Sequence, residues 1–230
     1  MIDMGNHKLF SKPVVLCVVM LVFLFYSDEY VIIFSSYIFE SFYMSLRFIV
    51  DFIKLAVVLA ILFFYNKTNT PVLIGTIKIK TVTELTFIIV PVVLVLFFIE
   101  KLTGIEFEAG RYYSDINETM SVSKVLFYFS VFVIQPIIQG VVFCGVLFNE
   151  LIKYSRKILF SVSTFFFIVY NAYDIRFGVC LSGVVLFVSL SIILLLARMK
   201  SGGVLLPVIL HALFNIFYFN IQTYHYGYDG

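Results

Sequence analysis

Long apolar runs with almost no charged side chains are the feature that most constrains how this chain can fold. Only 13% of the residues are charged, 62% are hydrophobic, and the mean hydropathy is +1.06. Soluble domains carry about 25% charged and about 45–50% apolar residues. Because so few charges cannot cover a water-soluble globule of 230 residues, a soluble fold is excluded. The sequence predicts one polytopic, all-α transmembrane helical bundle.

The apolar runs predict about seven membrane spans. A helix needs about 20 apolar residues to cross the hydrocarbon core. We place the spans at Ser11–Tyr26, Phe48–Tyr65, Thr83–Ile99, Val125–Ile152, Ile158–Tyr173, Phe177–Ala197 and Val204–Ile221. No small-residue cleavage site follows the first span, which is therefore interpreted as an uncleaved signal anchor. Serines and Glu40 interrupt Val31–Met44, which is interpreted as an interfacial or partly inserted connector.

Lysines and arginines predict the orientation of the bundle. Most of them fall in loops on one side of the seven-span arrangement, and the acidic residues collect on the other side, above all in the long connection Thr103–Ser123. Cytoplasmic loops are enriched in Lys and Arg, so we expect the N-terminus inside and the C-terminus outside. Rich use of Phe, Ile, Tyr and Lys is typical of an AT-rich bacterial genome. We therefore expect the protein in a bacterial plasma membrane, with membrane lipid as a partner. The net charge of +2 is too small to indicate nucleic acid as a partner.

The cysteines and the charged residues inside the spans indicate little chemistry of their own. Cys17, Cys144 and Cys180 lie in apolar runs without metal-ligand spacing, so no disulfide framework, metal site or cofactor is predicted. In the second span Asp51 and Lys54 are three residues apart and share a helix face with Arg47. We interpret this group as a self-paired cluster facing the bundle. A transporter or channel that uses Asp51 and Lys54 is an alternative.

Two later spans carry polar residues and helix-modifying residues in a recognisable order. In the seventh span His211 and Asn215 are four residues apart, after a Gly-Gly…Pro lead, and therefore lie on one helix face. In the fourth span Pro136 removes a backbone hydrogen bond, and glycines at 140 and 145 allow neighbouring helices to approach. Taken alone, each of these spans is typical of a packing helix.

In this order the segments resemble the CPBP family, which consists of the CAAX proteases and the bacteriocin-processing proteins. The lysostaphin-resistance-like proteins are members of this family. The family pattern consists of Glu-Glu-x-x-x-Arg, Phe-x-x-x-His and His-x-x-x-Asn helices. Pro136–Asn149 matches the frame of the first helix, Phe167–Asn171 that of the second, and His211–Asn215 that of the third. The resemblance covers roughly Val125–Phe219 and implies the helical core of a CAAX-type intramembrane protease.

Most of the chemistry that the resemblance implies is replaced in this chain. Gln139 and Gly140 stand in place of the two glutamates, Cys144 in place of the arginine, and Asn171 in place of the first histidine. In the family, a glutamate assisted by histidine is thought to activate water. A general base must accept a proton at the working pH, and neither an amide nor a glycine does so. The resemblance therefore predicts a catalytically impaired member.

The two retained motif positions are His211 and Asn215, which in the family stabilise the oxyanion. We expect a pseudoprotease that binds a peptide or a transmembrane helix of a partner protein, with Gln139, Cys144 and Asn171 contributing to binding. For bacterial family members the resemblance implies immunity, peptide maturation or control of a membrane sensor. The alternative is an active endopeptidase rebuilt on a Cys144/His211 dyad, although Cys144 has no neighbouring cation in the sequence to stabilise a thiolate.

The spans and the motifs divide the chain into three parts of one structural domain. Residues 1–124 hold the divergent N-terminal spans and the outer loop, residues 125–221 the motif-bearing core, and residues 222–230 a tail.

Overall fold

The computed structural model describes residues 19, 22–23, 26, 40–68, 71–103, 122–172 and 181–226. Within these ranges the regular secondary structure is helical and contains no strand, so the predicted all-α class is confirmed. The helices are α1 Glu40–Thr68, α2 Ile79–Thr103, α3 Val122–Leu151, α4 Arg156–Ala172, α5 Leu181–Ser201 and α6 Leu205–Tyr226.

Among the described residues, three helices are long and apolar enough to cross a membrane: Ser45–Lys67 in α1, Val122–Leu151, and Val184–Ser201 in α5. They support a multi-pass membrane protein without establishing seven spans. Most of the first predicted span, Cys17, Cys180 and almost all of the outer loop lie outside the described residues.

Two helix boundaries differ from the sequence prediction. Residues 40–44 belong to α1 rather than to an interfacial connector, because no Gly or Pro interrupts the helix between Glu40 and Arg47. At the other end of the chain, α6 continues to Tyr226 and so includes the first residues of the predicted tail.

Helix α3 is irregular, and its irregularity matters for the site. It contains π-helical stretches at Ser130–Ile134 and Gly140–Leu147, separated by a short α-helical stretch that includes Pro136. A π-helical stretch shifts backbone hydrogen bonds from the residue four positions back to the one five positions back. Some backbone carbonyls of α3 therefore lose their usual donors and can accept hydrogen bonds from other helices.

The other helices surround α3. Helix α1 runs parallel to α3, because Ser45 meets Ser123 at one end (3.2 Å between the hydroxyl oxygens) and the Tyr65 hydroxyl donates to Glu150 at the other (2.5 Å). Helix α4 returns antiparallel after the turn 152–155, and α6 also runs antiparallel to α3. Helices α2 and α5 pack outside this group.

This arrangement gathers much of the positive charge at one end of the bundle. The C-termini of α1, α3 and α5 and the N-termini of α4 and α6 meet there. We call this the basic end, and its basic residues are Lys67, Lys78, Lys80, Lys153, Arg156, Lys157, Arg198 and Lys200. That the basic end faces the cytoplasm remains a prediction from the enrichment of Lys and Arg in cytoplasmic loops.

Candidate functional site

The Gln139 and Asn171 side chains form a buried amide pair between α3 and α4. Nε2 of Gln139 donates to Oδ1 of Asn171 (3.4 Å), and Nδ2 of Asn171 donates to Oε1 of Gln139 (3.3 Å). Asn171 also donates to the Phe167 carbonyl of its own helix (2.8 Å). Asn171 is the next-to-last residue of α4, and the α3–α4 hairpin brings it next to Gln139 in the middle of α3.

His211 is buried beside this pair. Its imidazole packs against the Phe167 ring with centroids 5.9 Å apart, and only 3% of the residue is exposed. Among the described residues, Nδ1 of His211 has no hydrogen-bond partner. Buried polar atoms are nearly always hydrogen-bonded, so this nitrogen retains an unused capacity to bind a polar group.

The space beside Gly140 is filled by Val208 of α6. A Cβ atom built on Gly140 would overlap Cγ2 of Val208 and lie 3.6 Å from the Val208 Cβ. The position where the resemblance expects a second glutamate is therefore closed as well as empty of a side chain. It could not hold a carboxylate unless α3 and α6 moved apart.

Asn215 donates a hydrogen bond to the irregular part of α3. The Gln135 N–H bonds to the Ser130 carbonyl, five residues back, and so leaves the Val131 carbonyl without its α-helical donor. The π-helical donor to Val131 would be residue 136, a proline, which has no N–H. Nδ2 of Asn215 donates to the Val131 carbonyl at 2.9 Å and replaces the missing bond. The asparagine that the resemblance assigns to oxyanion stabilisation thus has a structural partner.

Cys144 lies in the second π-helical stretch, where a cation from another helix contacts its backbone. The Cys144 carbonyl accepts a hydrogen bond from Nε of Arg198 in α5 (2.8 Å), and Nη2 of Arg198 donates to Oδ1 of Asn149 (3.2 Å). The guanidinium also lies 5.0 Å from the centre of the Phe148 ring. Residue 144 stands where the family pattern has arginine. Here it is a buried cysteine, and the guanidinium of Arg198 contacts its backbone instead.

Both buried carboxylates among the described residues are held by other groups. Asp51 accepts hydrogen bonds from Ser130 and from Nε2 of Gln135 (2.7 Å), and Nζ of Lys54 lies 3.3 Å from it. Glu150 accepts from Tyr65 and from Lys153 (3.0 Å). The predicted pairing of Asp51 with Lys54 is confirmed.

The predicted site residues are brought together only in part. Gln139 pairs with Asn171, and both Asn171 and His211 contact Phe167. Cys144 and Asn215 have other partners, namely Arg198 and the Val131 carbonyl. A small apolar crevice lies elsewhere, between α2, α5 and α6. In the described ranges, no three His, Cys, Asp or Glu side chains form a group that could hold a metal ion.

Comparison with known proteins identifies the part of the chain that carries this geometry. Residues 121–217 match the family model described as type II CAAX prenyl endopeptidase Rce1-like. This match supports the CAAX protease family for this region of the chain. The match contains all five predicted site residues and confirms the resemblance that the motifs indicated. Neither the curated proteins nor the solved structures give a match.

Arg198 and Gln135 are residues of the matched region that the sequence reasoning missed. The sequence prediction ends the sixth span at Ala197 and so leaves Arg198 in a loop, yet the side chain is buried with 5% exposure. Gln135 joins Asp51 to Tyr170, whose hydroxyl donates to Oε1 of Gln135 (3.2 Å). The presence of Gln135 in an apolar span was the only local signal, because intramembrane polar residues usually have partners. The partners themselves depend on how the helices pack.

The structural role of Asn215 gives the first prediction. Asn215→Ala leaves the Val131 carbonyl without a donor, which should lower the free energy of unfolding by about 1–2 kcal/mol. The measurement is equilibrium unfolding of the purified chain in mixed detergent micelles, followed by circular dichroism. The matched control is Asn220→Ala, since Asn220 is exposed and bonds only to the Ile216 carbonyl of its own helix.

A second variant separates this effect from simple loss of packing. Pro136→Ala restores an N–H that can bond to the Val131 carbonyl, so Asn215→Ala should cost less in that background. Equal costs in both backgrounds would contradict the proposed link between Pro136 and Asn215.

Proposed function

We propose that this protein is a non-cutting member of the CAAX protease family that binds an extended peptide or a transmembrane helix of a partner protein. The observation that carries this proposal is the amide pair of Gln139 and Asn171, which stands where the family pattern has a carboxylate and an imidazole. The proposal builds on the shared family fold, and fold alone does not fix a function.

Loss of hydrolysis follows from the chemistry of the side chains present. An amide does not accept a proton at neutral pH, so Gln139 cannot act as the general base, and a base contributes about 10²–10⁴-fold to the rate. Asn171 cannot shuttle a proton either. The second glutamate has no room because Val208 fills the space at Gly140. Asn215, a retained oxyanion residue of the family, is bonded to Val131, and one oxyanion donor is worth about 10²–10³-fold.

Peptide binding follows from hydrogen-bonding capacity that the folded chain leaves unused. The two bonds between Gln139 and Asn171 are 3.3 and 3.4 Å long, whereas strong N–H···O bonds are about 2.9–3.0 Å. Each side-chain amide carries the same donor and acceptor groups as a peptide bond. The backbone of a bound peptide can therefore replace one amide of the pair as the hydrogen-bond partner of the other. Nδ1 of His211 supplies a further hydrogen-bonding group.

Immunity against a secreted peptide, assistance to peptide maturation and control of a membrane sensor all fit such a binding role. Each requires recognition of an extended or helical segment in the membrane, and none requires cleavage. The chemistry of the amide site does not distinguish between them, so the function proposed here is the recognition step that they share.

A cleavage assay tests the non-cutting part of the proposal. The full chain in lipid nanodiscs is incubated with a farnesylated CAAX peptide, the substrate type that the family description names. We expect mass spectrometry to show intact peptide, with the same background for the wild type, His211→Ala and Cys144→Ala. Cleavage that disappears in either variant would support the rebuilt Cys144/His211 enzyme and overturn the proposal.

Binding of the same peptide, labelled with a fluorophore, tests the second part. Asn171→Leu removes one amide of the pair and should weaken binding by about tenfold, the effect of roughly 1.4 kcal/mol. Asn220→Leu is the control, because this exposed asparagine lies away from the pair on α6. If Asn171→Leu binds the peptide as tightly as the wild type, the amide pair is not the binding site.

A further inference from the structure

Residues 71–78 form an extended segment that lies across the basic end of the bundle, between α1 and α2. We call this segment the strap. It contacts residues 201–205, the junction between α5 and α6 that contains the Gly-Gly lead of the third motif. Three backbone hydrogen bonds join the two segments: Thr76 N–H to the Ser201 carbonyl (3.1 Å), Val204 N–H to the Leu73 carbonyl (3.0 Å) and Leu205 N–H to the Ile74 carbonyl (3.0 Å).

Two glycines allow the strap to approach this junction. Gly75 has φ of +82°, and a Cβ atom on it would meet backbone atoms of Gly203 and Ser201. A Cβ atom on Gly203 would in turn overlap backbone atoms of Ile74 and Gly75. Gly203, part of the motif lead, thus makes room for an extended chain, since only glycine permits contact this close between two backbones.

The strap is held mainly through its backbone. Leu73 and Ile74 are 57% and 69% exposed, and Ile77 is exposed as well. Val72 is the side chain that inserts, because its Cγ1 atom lies 3.0 Å from where a Cβ of Gly145 would be. Binding through main-chain hydrogen bonds is the way in which extended peptides add to an exposed backbone edge in other proteins. A second chain of similar shape could make the same bonds.

We propose that the backbone edge at residues 201–205 is a peptide-binding edge, which the strap occupies in this structure and which an extended segment of a partner protein takes in its place. The partner segment carries a small aliphatic residue three positions before a glycine, as the strap does with Val72 and Gly75. Glycine is required because any side chain at that position would meet the backbone of Gly203 and Ser201.

This edge lies close to the amide site along the same helices. His211 is seven residues after Val204 on α6, which is about 10 Å at 1.5 Å per residue. Val72 reaches Gly145, six residues beyond Gln139 on α3. A peptide that replaces the strap and places a side chain against Gly145 therefore lies about 9 Å along α3 from Gln139. The inference rests on the proposed function, since it names the class of peptide that the partner contributes.

Hydrogen–deuterium exchange of the full chain in nanodiscs tests the edge. Gly75→Ala forces the strap away from Gly203, so exchange at the Val204 and Leu205 amides should accelerate by about tenfold or more, as the local opening becomes easier. Ile77→Ala is the matched control, because the Ile77 side chain is exposed and its backbone makes none of the three bonds to residues 201–205. This variant changes the strap without opening its contact with Gly203.

A synthetic peptide with the sequence of residues 71–78 completes the experiment. It should restore slow exchange at Val204 and Leu205 in the Gly75→Ala chain, whereas the same peptide with Ala in place of Gly should not. In the wild type it should change little, because the tethered strap competes at a high effective concentration. Equal exchange in Gly75→Ala and Ile77→Ala would overturn the inference, and so would faster exchange that the glycine-containing peptide does not reverse.

These outcomes are independent of the tests of the amide site. Cleavage of the farnesylated peptide would overturn the non-cutting function and leave the edge intact. Restored protection by the strap peptide does not depend on Asn171, so the two proposals can fail separately.

Discussion

Asp51→Leu is expected to lower the free energy of unfolding by about 3–5 kcal/mol, the usual cost of removing one partner from a buried ion pair. Asp51 is 1% exposed and Lys54 is 0% exposed, so the ammonium of Lys54 would lose its carboxylate where water cannot replace it. Ser130 and Gln135 would lose their acceptor as well. Unfolding in mixed detergent micelles, followed by circular dichroism, measures the loss.

An exposed ion pair of better geometry is the control for Asp51. Lys200 and Glu84 are 2.9 Å apart, closer than Lys54 and Asp51 at 3.3 Å, yet their side chains are 48% and 44% exposed. Exposed pairs contribute about 0–1 kcal/mol, so Glu84→Gln should change stability little. A similar loss in both variants would show that burial does not set the cost.

The partner variant distinguishes a stranded charge from lost packing. Lys54→Met in the Asp51→Leu background removes the uncompensated ammonium and fills its space with an apolar chain. The double variant should recover part of the stability lost in Asp51→Leu, because apolar replacement of a whole buried pair is often neutral. A double variant less stable than Asp51→Leu would contradict this account.

The second large effect is expected at Gly140. Gly140→Ala should destabilise the chain by about 2–3 kcal/mol, the upper part of the range for overpacking a tight interior. The added methyl overlaps Cγ2 of Val208, and a β-branched residue in a helix has one strongly preferred rotamer. Val208 therefore cannot simply turn away, and α3 and α6 must separate. The same unfolding measurement applies.

A double-variant cycle with Val208→Ala checks the cause. Val208→Ala removes the overlapping methyl, so Gly140→Ala should cost little in that background. If the cost stays the same, the close approach of α3 and α6 at this point is not what Gly140 provides. The outcome also bears on function, since it decides whether a glutamate at position 140 could be accommodated.

The sequence by itself determined the class of protein and the positions of its helices. Apolar runs with few charges require burial in lipid or in a bundle, and a helix is the element that satisfies its backbone polar groups within one segment. Helix spacing also predicted that Asp51 and Lys54 share a face, which their ion pair confirms. The motif frames at Gln139, Asn171 and His211 likewise led to the family whose model residues 121–217 match.

Only the tertiary structure decided which of these residues meet. Gln139 and Asn171 are 32 residues apart in sequence, and their contact depends on the α3–α4 hairpin rather than on either helix alone. Val208 fills the space at Gly140, and Arg198 turns inward to the Cys144 carbonyl. Local sequence fixes hydrogen bonds and faces within a helix. The meeting of side chains on different helices depends on how those helices pack, which residues far apart in the chain determine together.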